Sequence, residues 1–219
     1  MPLSERFNVR LSFQIILFLT TFTLFLGACA PKVQNSCGFV QNVYGERISW
    51  KGQLPVKIEI HQSVPSIFVP AIEKAAATWE QAAGKKIFDI SRQQIGGPAQ
   101  PSRDYENVIY FLPSWDDNNK SEQARTNTYA LRDEIKESDI LINFDDFKSF
   151  YYQDQVIVGT TGGRSLNFEA LILHELGHLL GLKHDDKNNG SVMATLLPAM
   201  ADRVNLSSSD VESMQCEYN

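Results

Sequence analysis

The 219-residue chain contains no run of lysines or arginines, and its 20 basic residues are outnumbered by 26 acidic ones for a net charge of −6. Without a basic patch there is no electrostatic footprint for nucleic acid, and that partner class is set aside. The acidic balance by itself describes only a soluble surface. No internal repeat and no low-complexity block occurs, which excludes solenoids and disordered tails as the main architecture. Histidine and cysteine are scarce, at four and three residues. With 43% hydrophobic residues the chain can bury one substantial core and has little left for a second domain. A monomer is the default expectation.

Only one long apolar run is present, and it stands at the start. Arg6 and Arg10 precede Leu11–Ala28, broken only by Ser, Gln, Thr and Gly. A charged beginning, an apolar stretch and small residues at its end describe an export signal, expected over residues 1–28. Its end, Leu26-Gly27-Ala28-Cys29, resembles the lipobox of bacterial lipoproteins. That likeness implies cleavage before Cys29, acylation of Cys29 and anchoring of the chain to a membrane through the lipid. Ala30 at the next position leans towards the outer membrane; an uncleaved transmembrane anchor or an ordinary secretory signal are the alternatives. Residues 29–40 then read as a lipidated N-terminus and tether, and 41–219 as the folded domain. Cys37 and Cys216 remain as an even pair in an exported chain, which suggests a disulfide.

Along that domain, Val56-Lys-Ile-Glu-Ile60 alternates apolar and polar as a half-buried strand does. His61 would continue its polar face with Lys57 and Glu59, as a solvated residue. Ile72, Ala76, Trp79 and Ala83 recur at helical spacing before a stop at Gly84. Ile87–Ile90, Val108–Leu112, Tyr129–Leu131 and Ile140–Phe144 are further strand candidates. The acidic stretch Asp116–Gln123 and the glycine-rich Gly159–Gly163 read as loops. A helix is expected to begin near Ser165 or Asn167 and run to about Gly181, and a last one to open at Ser207.

Three of the four histidines fall within His174-Glu-Leu-Gly-His178-Leu-Leu-Gly-Leu-Lys-His184. A four-residue step on a helix turns about 400°, so His174 and His178 face the same way one turn apart. Two imidazoles so placed can bind one tetrahedral zinc. Gly181 can end the helix and turn the chain so that His184 returns as third ligand. Three protein ligands leave the fourth position to water, as in catalytic rather than structural sites. Glu175, one position round from His174, stands where it can take a proton from that water. The surrounding Leu171, Leu173, Leu176, Leu179 and Leu180 mark the rest of the helix as buried, so histidines there need a reason.

This pattern resembles the extended zinc signature of the metzincin metallopeptidases, and Ser191-Val192-Met193 is similar to their Met-turn. Within that clan, the likeness over about residues 56–218 is to matrixins, the matrix metalloproteinase group. The resemblance implies an α+β catalytic domain: a twisted mixed sheet with a first helix, an active-site helix and a C-terminal helix. It implies a zinc endopeptidase acting on protein or peptide substrates, with Met193 beneath the metal and substrate extended along an edge strand near Thr126–Arg132. Asp185 after the third histidine is more usual in the adamalysin branch. With His61 as the only other histidine, a second, structural zinc site is incomplete. Ca2+ is a weaker expectation, at Asp145-Asp146 or Asp185-Asp186. Latency through Cys37 on the metal is not expected, because Cys37-Gly38 lacks the family's surrounding residues. Two rival functions use the same motif: an idle peptidase-fold binding lipoprotein, or a zinc hydrolase of cell-wall peptide cross-links. Ala170 is expected to line the pocket beside the first histidine.

Overall fold

Alternation in Val56–Ile60 puts Val56, Ile58 and Ile60 on one buried face, with Lys57 exposed and Glu59 half-buried. This strand, β1, lies inside a five-stranded sheet with β2 (Phe88–Ile90), β3 (Val108–Leu112), β4 (Ala124–Leu131) and β5 (Glu134–Asn143), in the order β2-β1-β3-β5-β4. β1 pairs in parallel with β2 and β3, and β3 with β5; β4 runs antiparallel to β5 at the sheet's edge. The structure is a computed structural model that describes residues 33–219 except 148, 154, 159–164 and 199–200. Cys29, the apolar run before it and Gly159–Gly163 lie outside the described residues. Among the described residues no helix is long and apolar enough to cross a membrane.

The continuous apolar run of β3 follows from burial on both faces, as expected for a strand between parallel neighbours. Ile109 and Phe111 join Ile58, Ile60, Ile140 and Ile142 in the main core under the helices. Val108 and Tyr110 pack on the opposite face with Leu141, Ile95, Ala99 and Trp115. Helix α1 (Val69–Ala83) buries Ala71, Ile72, Ala75, Ala76, Trp79 and Ala83, and stops where Gly84 takes φ 65°. Trp79 is fully buried and its indole Nε1 donates to Leu173 O at 2.9 Å, so it fixes α1 to the helix that carries Leu173 as well as filling the core. Helix α2 (Phe168–Leu179) is capped by Asn167, whose side chain accepts from Ala170 N; helix α3 (Ser208–Tyr218) opens with a capping box between Ser207 and Asp210.

A second, three-stranded sheet has the order β7-β6-β8, from Ser149–Tyr152 (β6), Gln155–Val158 (β7) and Leu166–Asn167 (β8). The sequence gives no warning of it, because strands of two to four residues carry too little alternation to register. His61 departs from its expected solvated position: it is 3% exposed. β1 ends at Ile60, and the chain at Ile95–Gly97 folds over the imidazole. Ser63 N donates to Nδ1 at 3.0 Å and Nε2 lies 3.1 Å from Gly97 O, while the ring packs against Tyr110.

The domain also starts earlier than residue 41. Residues 34–219 form one compact unit. Gln34 N donates to Gly45 O, and Phe39 is fully buried against Tyr218. A single aromatic anchor in a polar stretch has no periodicity to reveal it. The Cys37 and Cys216 sulfurs stand at bonding distance, 2.01 Å, with Cα atoms 6.2 Å apart.

Asp139 on β5 is 4% exposed, and burial pushes its carboxyl up to about 7 against the lowering effect of the Val108 amide, with Glu137 and Asp104 adding to the rise. A folded pKa above the unfolded value near 3.9 means stability present below pH ~4 is lost as pH rises through about 7. Asp139→Asn keeps an oxygen for Val108 N and removes the charge. It is expected to stabilise the fold by about 2 kcal/mol at pH 8, read as a melting temperature raised by roughly 4–8 °C, with the difference vanishing in melts below pH 4.

Candidate active site

Helix α2 is buried almost all round; His174 and His178 are its partly exposed stripe. One turn apart, they direct Nε2 atoms to within 3.0 Å of each other. Past the helix end Gly181 takes φ 104°, and an added Cβ there would stand 2.3 Å from Ile48 O, so both conformation and space require glycine. The turn brings His184 round until its Nε2 lies 3.0 Å from that of His178. Three ring nitrogens therefore converge on one point, and among the described residues this triad is the one group of three or more His, Cys, Asp or Glu side chains arranged to hold a metal ion.

The donor chemistry fits zinc. His174 Nδ1 donates to Val192 O at 2.7 Å and His178 Nδ1 to Leu182 O at 2.8 Å. Those backbone acceptors fix the tautomer, leaving each Nε2 with a bare lone pair. With those tautomers the His174 and His178 lone pairs face one point, an arrangement that could hold a metal ion. Burial is the main reason both rings resist protonation: His174 is pushed down to about 3 and His178 to about 4, with neighbouring imidazoles adding to the effect. Tetrahedral zinc with bonds of about 2.0–2.1 Å would separate its ligand nitrogens by roughly 3.3 Å, close to the spacing present.

The contacts that orient these histidines come from across the chain. Met193 is 2% exposed and lies against Gly177 in the helix: a Cβ on Gly177 would meet Met193 Sδ at 2.3 Å and Trp79 at 3.0 Å. Asp210, itself 2% exposed, accepts from Ser191 Oγ at 2.5 Å and Val192 N at 3.0 Å, so the first turn of α3 holds Ser191–Met193 and, through Val192 O, His174. The carbonyls ending α2 are also taken. Trp50 Nε1 donates to Leu179 O, the Tyr218 hydroxyl to Leu180 O, and Val40 N to Gly181 O. Trp50, Tyr218 and Asp210 had no sequence signal beyond being aromatic or at a helix start; their roles depend on contacts across the fold.

Glu175 is 3% exposed and burial pushes its carboxyl up to about 7, opposed by a hydrogen bond from Thr126. Thr126 Oγ1 lies 2.6 Å from Glu175 Oε2. Both line an open cleft of about 570 Å³, with the three histidines, Val40, Leu171 and Leu182 on its walls and Thr195–Leu197 at one rim. Leu171, rather than the expected Ala170, lines the cleft; Ala170 is 1% exposed. Positions three and four residues before His174 flank it on opposite sides, and the sequence does not say which side is open. The acidic pairs considered for calcium are engaged in protein hydrogen bonds: Asp185 with Ser209, Asp186 with Thr195, Asp145 with Trp115 N and Asp146 with Asn143.

A mixed sheet backed by a helix, with three imidazoles converging beside Ser191–Met193, fits a zinc metalloendopeptidase of the metzincin type. The family model for matrixin matches residues 71–219, more than half of the chain, and the chain belongs to that family. Among solved structures it is similar to high choriolytic enzyme 1, a hatching enzyme zinc-protease from the medaka fish Oryzias latipes. The likeness has 15% identity and a TM-score of 0.38 and covers 87% of this chain and 98% of that one. No curated protein matches. The enzyme acts on protein or peptide substrates.

Proposed function

We propose that this endopeptidase hydrolyses peptide bonds with Glu175 as general base and His174, His178 and His184 as the zinc ligands, and that it works at a membrane surface, anchored through a lipid on Cys29. The observation that carries the catalytic reading is a buried carboxylate beside three converging imidazoles in an open cleft. When bound, zinc supplies Lewis acidity for a water and for the scissile carbonyl oxygen. Glu175 takes the proton from that water and returns it to the leaving amine. Its raised carboxyl suits proton transfer near neutrality, and a cation on the triad pulls in the same lowering direction as Thr126. Among the described residues β4 is the edge strand of the sheet beside the cleft, where an extended substrate can add as a further strand.

A chelator should abolish cleavage of a quenched fluorescent peptide, and one equivalent of zinc per chain should restore it. Cleavage that persists in the chelated protein overturns the metal mechanism.

The anchor reading rests on the sequence at Leu26–Cys29. Metabolic labelling with an alkyne fatty acid is expected to mark the full chain and to miss Cys29→Ser. Equal labelling of both sinks it.

A further inference from the structure

We propose that Thr126 is a positioning residue for Glu175: its hydroxyl holds one carboxylate oxygen, Oε2, so that the other is presented to the cleft as the proton acceptor. The proposal rests on the general-base reading of Glu175.

A glutamate has three rotatable side-chain bonds, and a base must hold one geometry to within a fraction of an ångström. Something has to restrict it. Among the described residues the hydrogen bond from Thr126 Oγ1, at 2.6 Å, is the one made to the Glu175 carboxylate, and no salt bridge reaches it. The hydroxyl also lies 3.2 Å from Glu175 O. It has one proton to give, and an ionised carboxylate at the shorter distance is the stronger acceptor.

Thr126 is built to be a fixed donor. Its β-branched side chain is stiff about its first torsion. Its backbone sits in β4 opposite Ile140 of β5, a strand whose residues from Ser138 to Asn143 are buried. Glu175 is held from below by a helix that is buried nearly all round. The bond therefore joins two rigid elements across the wall of the cleft, and both side chains line that cleft. Because β4 is the sheet's free edge, the same residue links the strand available for substrate pairing to the base that acts on the substrate.

Catalysis and folding make different demands on this bond, so they can be separated. Thr126→Val preserves shape and removes the O–H; Thr126→Ser keeps it. With a quenched fluorescent peptide and the zinc-loaded enzyme, Thr126→Val is expected to lower kcat about 10- to 100-fold with KM within about twofold. Zinc content and melting temperature should stay at wild-type values, and Thr126→Ser should recover kcat to within about threefold. Should Thr126→Val not fold, Thr126→Ala carries the same comparison. An unchanged kcat in the folded variant overturns the proposal. So does a loss that follows zinc content or melting temperature, or a serine variant as slow as valine. Glu175→Gln measured in parallel separates the two readings. If it stays active, the base assignment is wrong; if it is inactive while Thr126→Val is unimpaired, only the positioning role falls.

Discussion

Glu175→Gln should yield a folded, zinc-loaded protein whose kcat is lower by about 10²- to 10⁴-fold, the span that a positioned general base contributes. Glutamine keeps the shape of the side chain and an oxygen to accept from Thr126 Oγ1, so the geometry described by that 2.6 Å contact is retained. What is lost is the basic lone pair and the charge. The three histidine nitrogens are untouched, and zinc stoichiometry should stay at one per chain. A second measurement strengthens the reading. Burial raises the Glu175 carboxyl to about 7 in the folded protein, against about 4.3 for an unperturbed glutamate. The stability linked to the protonated form is thus complete below pH ~4 and is lost as pH rises through about 7. In the zinc-free protein at pH 8, Glu175→Gln should therefore melt at or above the wild-type temperature. A variant that loses activity while its fold is no weaker shows a residue kept for chemistry at some cost to stability. If Glu175→Gln retained more than a tenth of the wild-type kcat, the general base would have to be sought elsewhere.

The candidate zinc site is legible in the sequence because its determinants are local. His174 and His178 share a helix face by periodicity alone, Glu175 stands on the same helix, and Gly181 follows its end. The helix starts at Asn167 and Ser207 and the stop at Gly84 are equally local, being capping chemistry. What was not legible depends on partners distant in the chain. His61 alternates correctly with Lys57 and Glu59, yet it is covered by the segment 95–97, which nothing in its neighbourhood announces. Phe39 looks like part of a tether until Tyr218, 179 residues later in the sequence, is placed against it. Thr126 reads as an ordinary strand residue; only the stacking of β4 beside α2 brings its hydroxyl to Glu175.

Replacing Cys37 and Cys216 by serine should cost the fold several kcal/mol and also loosen the metal. The bridge joins residues 179 positions apart. In the chain-entropy account, releasing a loop of that length frees the unfolded chain by about 5 kcal/mol, equivalent to a melting temperature lower by roughly 10–20 °C for a domain of this size. The second effect follows from what the bridge holds in place. Immediately after Cys37, Gly38 O accepts from Lys183 N and Val40 N donates to Gly181 O, each at 2.9 Å. Phe39 pairs with Leu182 between them. Residues 38–40 therefore brace residues 181–183, the turn that leads to His184 and supplies Leu182 O to His178 Nδ1. Arg47, Ser49 and Lys51 add bonds to Glu217, next to Cys216, but these attach to the chain beyond the braced segment. With the covalent link gone, the brace has only its own hydrogen bonds and Phe39 to keep it on the turn. Zinc affinity of the folded double-serine variant, measured by competition with a chelator of known strength, should fall by about 10- to 100-fold, as when outer-shell support of a ligand is removed. Reductant should shift the wild type towards the variant and leave the variant itself unchanged. A variant with a lower melting temperature and undiminished zinc affinity would show that the bridge restrains only the unfolded chain. In that case the backbone bonds of residues 38–40 suffice to hold His184 in place.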